Sequence, residues 1–245
     1  MHDFIVVTCE HGGNRIPAEY ARLFRGWHRA LGSHRGYDAG ALAMARDLAA
    51  AMHAPLIASA VSRLLVDLNR SLSNPRAWSA ATRSLNSAEK HRVVQRYYAP
   101  YRRNVSTIVD DAVRSARRVI HISSHSFTPM LDGHVRTADV GLLYDPARPG
   151  ESALAQLWKA AFAEHAPGLC VRRNYPYAGK GDGLTRALRR RHPPARYIGI
   201  ELELNQSFAL IGGKPWRDLR ASVVATFQAA LRGRLYDAPL AGGAK

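Results

Sequence analysis

The sequence predicts an α/β sandwich with a largely parallel or mixed sheet. Strand-like and helix-like stretches alternate throughout the chain, and several of the strands end in clusters of polar residues. In such folds sites gather at the carboxyl edge of the sheet. The 245 residues suit one large domain, and no shift in composition marks a second, so residues 1–245 are taken as a single domain. An apolar content of 47% argues against global disorder.

The elements follow in order. Residues 5–8 form a short apolar run and read as the first strand. In DAGALAMARDLAAAMH, Leu42, Ala45, Leu48, Ala49 and Met52 recur at helical spacing, with Asp38 well placed as N-cap. PLIASAV and RLLVDLN read as two short strands, and Asn74-Pro75 as a loop. Asn86 and Glu89 have capping-box spacing and open a long helix whose stripe runs from Val94 through Tyr97, Tyr98, Tyr101, Val105, Ile108 and Val109 to Ala112. Pro100 should kink or split it. RVIHISS and DVGLLYD are strands, ESALAQLWKAAFAEH a helix and GLCVRRN a strand. YPYAGKGDG is a glycine-rich loop before the helix LTRALRRR. RYIGIELEL is the last strand and WRDLRASVVATFQAALRG the last helix.

The formal net charge is +16, which favours anionic partners. Thirty of the 35 basic residues are Arg, scattered rather than massed, and alanine is abundant, so coding bias explains much of the excess. No RRM, KH or helix-turn-helix signature accompanies the charge, and a nucleic-acid partner is not expected. No apolar run approaches the roughly 20 residues that span a bilayer, so neither is a membrane partner. With no basic segment and apolar stretch of signal-peptide type at the N-terminus, a cytoplasmic protein is expected. Cys9 and Cys170 are too few for a disulfide framework, and Cys9, ending an apolar run, reads as a buried free thiol.

Four strand ends carry unusual chemistry. The first leads to His11. RLLVDLNRS brings Arg63, Asp67, Asn69 and Arg70. HISSHSF alternates His121, Ser123 and His125 onto one face, and IGIELELNQ places Glu201 and Glu203 on one face. A helix start adds His34, Tyr37 and Asp38. Two histidines and several carboxylates on one sheet edge are the ingredients of a mononuclear zinc site with a position left for water. The Gly-Gly after His11 permits a tight turn there. The spacing is not specific, because there is no HExxH and no HxxE. His11 and His125 stand out because each follows an apolar strand and begins a polar loop; His2, His28, His53, His91, His165 and His192 read as ordinary surface or hydrogen-bonded residues.

In these segments the chain resembles the N-formylglutamate amidohydrolases, from about residue 5 to 210. EHGGNRIP is similar to the family's His-small-Gly-x-x-Ile-Pro segment, and GYDAGALAMARDLA to its Asp-bearing helix start. SRLLVDLNRS resembles its Ser-Arg-x-x-x-Asp-x-Asn-Arg segment, SSHSFTP its His-Ser segment and ELNQS its terminal Glu strand. The resemblance implies a three-layer α/β/α sandwich with a central mixed, largely parallel sheet, of phosphorylase/hydrolase-like type. It implies a metal-dependent amide hydrolase, usually holding zinc, that acts on a small anionic substrate. By the same resemblance His11, Asp38 and His125 are the metal ligands and Glu203 the general base and acid. Arg63, Asn69 and Arg70 then recognise substrate carboxylates or support the site. Several alternatives stay open: Asp38 as a helix N-cap only, with Glu10 or another carboxylate as third ligand; Glu201 in place of Glu203; an Asp67–Arg70 pair; His121 as a core residue; and NYPYAGKGDG as a lid carrying Lys180 or as an ordinary connection.

Overall fold

The computed structural model describes residues 3–115 and 117–236; His2 lies outside them. In chain order the elements are β1 (Phe4–Cys9), α1 (His28–Leu31), α2 (Ala41–Ala51), β2 (Leu56–Ala58), α3 (Ser87–Val93), α4 (Ala99–Arg114), β3 (Val119–Phe127), β4 (Met130–Leu131), β5 (His134–Val135), β6 (Val140–Leu143), α5 (Pro149–His165), β7 (Val171–Arg173), α6 (Leu184–Arg191), β8 (Tyr197–Asn205), α7 (Gln206–Ile211) and α8 (Gly213–Tyr236). Six strands form one sheet in the order β2-β1-β3-β8-β6-β7, and β4 and β5 make a separate small hairpin. Within the six-stranded sheet the β2–β1, β1–β3, β3–β8 and β6–β7 pairings are parallel and the β6–β8 pairing is antiparallel. The sheet is therefore mixed and mostly parallel.

Both faces of the sheet are covered, as expected of strands that read as continuous apolar runs. On one face Ile120, Ile122, Ile198, Ile200 and Leu202 pack with Met44 and Leu48 of α2, Trp158 and Phe162 of α5 and Val223 and Phe227 of α8. Trp158 anchors that layer: its ring centroid lies 4.6 Å from that of Phe227, and its indole N–H donates to Thr226 Oγ1 at 3.1 Å. On the other face Val119 and Tyr197 meet Tyr101, Val105 and Val109 of α4, Leu188 of α6 and the segment Leu64–Leu68. Helices on two sides of one sheet make the three layers.

Local chemistry accounts for the helix boundaries. Asn86 accepts from the Glu89 amide while Glu89 accepts from the Asn86 amide, both at 2.9 Å, a complete capping box. Pro100 does not break the long helix: helical backbone continues from α3 through a π-helical turn over Val94–Tyr98 into α4, and Pro100 follows that turn, whose wider winding accommodates its missing N–H.

Two further expectations fail. The segment RLLVDLN is not a strand. It is a chain of turns, with Ser62 Oγ accepting from the Leu64 amide at 3.2 Å and Asp67 Oδ1 from the Asn69 amide at 2.9 Å. Its run of buried apolar residues mimics a strand, but side-chain-to-backbone bonds satisfy the main chain in place of a ladder. Asp38 is not the N-cap of α2 either. Gly40 holds that position at φ 83°, leaving the Asp38 carboxyl free to face elsewhere.

Where β8 lies between β3 and β6, His125, Glu203 and Gly141 stand side by side. A Cβ on Gly141 would come within 2.1 Å of the Tyr175 carbonyl oxygen and 3.2 Å of Glu203 Cβ. Gly141 thus keeps room for Glu203 on the crowded face. Gly141→Ala is expected to lower stability by about 1–3 kcal/mol, read as a fall in unfolding midpoint in denaturant; an unchanged midpoint would show that the Tyr175 segment yields freely.

Candidate active site

Because β1, β3 and β8 run parallel, their carboxyl ends meet at one edge of the sheet. There the chain leaving β1 supplies Glu10 and His11, β3 supplies Ser123 and His125, and β8 supplies Glu201 and Glu203. The loop before α2 is tied to the same edge: the Asp38 amide donates to the His11 carbonyl at 2.9 Å, and Ser124 and Ser126 donate to the Ala41 and Ala39 carbonyls at 2.9 and 2.8 Å. The glycines after His11 serve close approach, since a Cβ on Gly13 would sit 2.7 Å from the Ala60 carbonyl oxygen.

Asp38 Oδ2 lies 3.2 Å from Nδ1 of His11 and 2.8 Å from Nδ1 of His125. One ligand atom from each of these three buried residues lies within 4.8 Å of the others, a cluster able to hold a metal ion. The remaining ring nitrogens are backed by carboxylates. His11 Nε2 donates to Asp67 Oδ1 at 2.7 Å, and His125 Nε2 lies 3.0 Å from Glu10 Oε2. A carboxylate behind the far nitrogen fixes the tautomer that leaves the near nitrogen as a ligand. The donor set therefore fits a zinc-like cation: two imidazoles and a carboxylate, each held from behind.

The electrostatics point the same way. Burial raises the carboxyl pKa of Glu10, Asp38 and Asp67, yet the imidazoles, Ser123 and Arg63 hold all three well below the usual range. Burial lowers the His125 pKa, but Asp38 and Glu10 on either side raise it well above the ordinary value. Glu203 differs. Burial, with the Asp38 and Glu201 charges, pushes it up to about 8, and its Oε2 is buried without a hydrogen-bond partner. Glu201 instead accepts a hydrogen bond from the Thr185 hydroxyl. His121 is a core residue between Thr8 Oγ1 at 2.8 Å and the Tyr197 hydroxyl at 2.6 Å, with burial lowering its pKa to about 4. Cys9 is buried and free, and burial raises its thiol pKa.

His11, Asp38, His125, Glu201 and Glu203 line a cavity of 320 Å³ together with Arg63, Asn69, Arg70, Arg76 and Asp182. Asp67 does not pair with Arg70. Arg63 takes it, Nη2 donating to Oδ2 at 2.6 Å, and also reaches Asp38 Oδ1 at 3.4 Å. Asn69 accepts from the Leu184 amide at 2.7 Å, with its Nδ2 lying 3.3 Å from His125 Nε2. Arg70 donates to the Asp182 carbonyl at 2.5 Å. Glu10, considered as a third ligand, sits instead behind His125, where Ser123 and Tyr101 donate to it at 2.6 and 2.9 Å. Tyr101 and Arg76 carry no site signal in the sequence, where the one belongs to an apolar helix stripe and the other is one of many arginines.

The loop Tyr175–Gly183 is tied to its neighbours near both ends. Asn174 Oδ1 accepts from the Tyr144 and Gly179 amides at 3.0 and 3.1 Å, and Arg189 Nη1 donates to the Gly179 carbonyl at 2.6 Å. The fully buried Glu151 holds Arg189 at 2.9 Å. At the loop's other end Asp182 Oδ2 accepts from the Ser71 amide at 3.0 Å and Asn74 Nδ2 at 2.8 Å. Lys180 is exposed and lies outside the described lining of the cavity.

Asp67→Asn is expected to weaken metal affinity about 10- to 100-fold, measured by competition with a coloured chelator. Chelator-treated protein gives a second check. A carboxyl raised from 4.5 to about 8 binds its proton in the folded state first, so stability falls as pH rises between those values. Glu203→Gln should therefore gain on the parent as pH goes from 5 to 8, by on the order of 3–5 kcal/mol; a gap independent of pH would contradict the raised pKa.

Residues 4–210 match the family model for N-formylglutamate amidohydrolase. No curated protein matches the chain. Among solved structures, gene product Atu2144 from Agrobacterium tumefaciens is 30% identical with a TM-score of 0.82, the match covering 95% of this chain and 92% of that one. N-formylglutamate amidohydrolase from Ralstonia eutropha JMP134 is 21% identical with a TM-score of 0.69, covering 96% of each chain, and shares the fold. With the family model spanning most of its length and the His-Asp-His cluster at the sheet edge, this chain belongs to the N-formylglutamate amidohydrolase family.

Proposed function

We propose that the protein is a metal-dependent amidohydrolase that cleaves the amide of an N-formyl or other small N-acyl amino acid. The reference substrate is N-formyl-L-glutamate, giving formate and L-glutamate. The observation that carries this reading is a buried carboxyl, Glu203, left without a hydrogen-bond partner beside the His11–Asp38–His125 cluster, in a chain of this family. His11, Asp38 and His125 would hold a zinc ion, which when bound supplies a Lewis acid for the amide carbonyl and lowers the pKa of a water toward ~7.

Glu203 then takes the proton of the attacking water and returns it to the departing amine. A carboxyl raised toward neutrality suits both transfers, while Thr185 occupies Glu201. Asp67 and Glu10 keep the two imidazoles oriented. Arg63, its guanidinium committed to Asp67 and Asp38, supports the site, and Asn69 joins the His125 side to the start of α6. Arg70 lines the pocket and presents positive charge to an anionic substrate.

The test is formate release from N-formyl-L-glutamate alongside metal analysis. Chelation should abolish turnover and zinc should restore it; full activity with no bound metal would overturn the reading. Glu203→Gln should lower kcat by about 10²- to 10⁴-fold with metal retained, and an active variant would move the proton-transfer role to Glu201.

A further inference from the structure

Beside the active-site cavity lies a second, larger cleft of 850 Å³, and Arg63, Arg70 and Arg76 line both. Beyond that shared wall the second cleft is lined by Arg35, Arg83, Lys90 and Trp78. Asp67 is the one acid among its described lining residues, and Arg63 and His11 already hold it. Arg35, Arg76, Arg83 and Lys90 face the cleft with no salt bridge among the described residues, while Arg70 lies near Asp182. Charges of one sign along a cleft reinforce one another's potential. Guanidinium forks pair bidentately with carboxylates.

We infer that this cleft binds acidic residues continuing from the amine side of the scissile amide, so that the protein accepts N-formylated (or small N-acylated) acidic peptides. The direction follows from the proposed chemistry, on which this inference rests. A formyl group is a single carbon, so anything reaching from Glu203 past Arg70 and Arg76 is attached through the amine. A lone glutamate has two carboxylates, and the cationic wall continues past what it can occupy. Nucleic acid is disfavoured by Trp78. Lys90 Nζ sits 5.6 Å above its ring and donates to the Arg83 carbonyl at 2.7 Å, covering a face on which a base would stack.

Calorimetric titration of the whole chain with tri-L-glutamate, tri-L-alanine and a single-stranded oligonucleotide tests this without requiring turnover. Tri-L-glutamate is expected to bind at least about tenfold tighter than tri-L-alanine, and Arg83→Gln/Lys90→Gln should remove most of that preference. Arg83→Gln alone changes an exposed side chain and keeps the comparison available if the double variant fails to fold. The same substitutions should lower kcat/KM for N-formyl-tri-L-glutamate relative to N-formyl-L-glutamate by about tenfold. Equal binding of the two tripeptides overturns the inference. So does an oligonucleotide that outcompetes tri-L-glutamate on the same variant-sensitive surface. Formate from N-formyl-L-glutamate without a tri-L-glutamate preference leaves the hydrolase reading standing and removes the cleft's role. Variant-sensitive tri-L-glutamate binding with no formate from either compound does the reverse.

Discussion

Three carboxylates, those of Glu10, Asp38 and Asp67, are buried around two imidazoles, and much of the architecture serves to keep them charged. Taking an ion out of water costs several kcal/mol even after relaxation, so each needs a close, well-oriented partner. The carboxylates and these partners come from the end of β1, the loop before α2, the turns after Ser62 and the middle of β3, four segments distant in sequence. With Arg63 charged and His125 protonated, the cluster still carries one surplus negative charge. A divalent cation in place of the His125 proton would bring it to neutrality. Glu203 beside it holds its proton high chiefly because it is buried, with the Asp38 and Glu201 charges adding to the effect.

Much of this frame is legible in the amino-acid pattern. Apolar runs and helical spacing locate the six strands of the main sheet and the longer helices, since burial on two faces leaves a signal that a single sequence retains. The exception at RLLVDLN is instructive: a buried segment held by Ser62 and Asp67 has the same apolar content as a strand, and only its side-chain hydrogen bonds set it apart. At the site, His11, His125 and Glu203 stand out as polar residues at or near the ends of apolar strands. Who partners whom is not legible. Asp67 reaches back to His11 and Arg63 rather than forward to Arg70, and Glu10 turns behind His125 rather than toward the ligand atoms, because tertiary position, not spacing, decides each contact. The Tyr101 hydroxyl is hidden within an otherwise ordinary apolar stripe, and Arg76 is one arginine among thirty.

Part of the excess of arginine is structural: Arg63 balances buried acids, and Arg148 and Arg189 are buried against Glu151 and donate to backbone carbonyls of the neighbouring segments.

The Arg189–Glu151 pair has a further effect through the Gly179 carbonyl that Arg189 holds. With Asn174 and Asp182 securing the same loop, the wall of the pocket is already in place before any substrate arrives. Bonds that already hold this wall lower the conformational entropy lost in ordering it when a ligand binds.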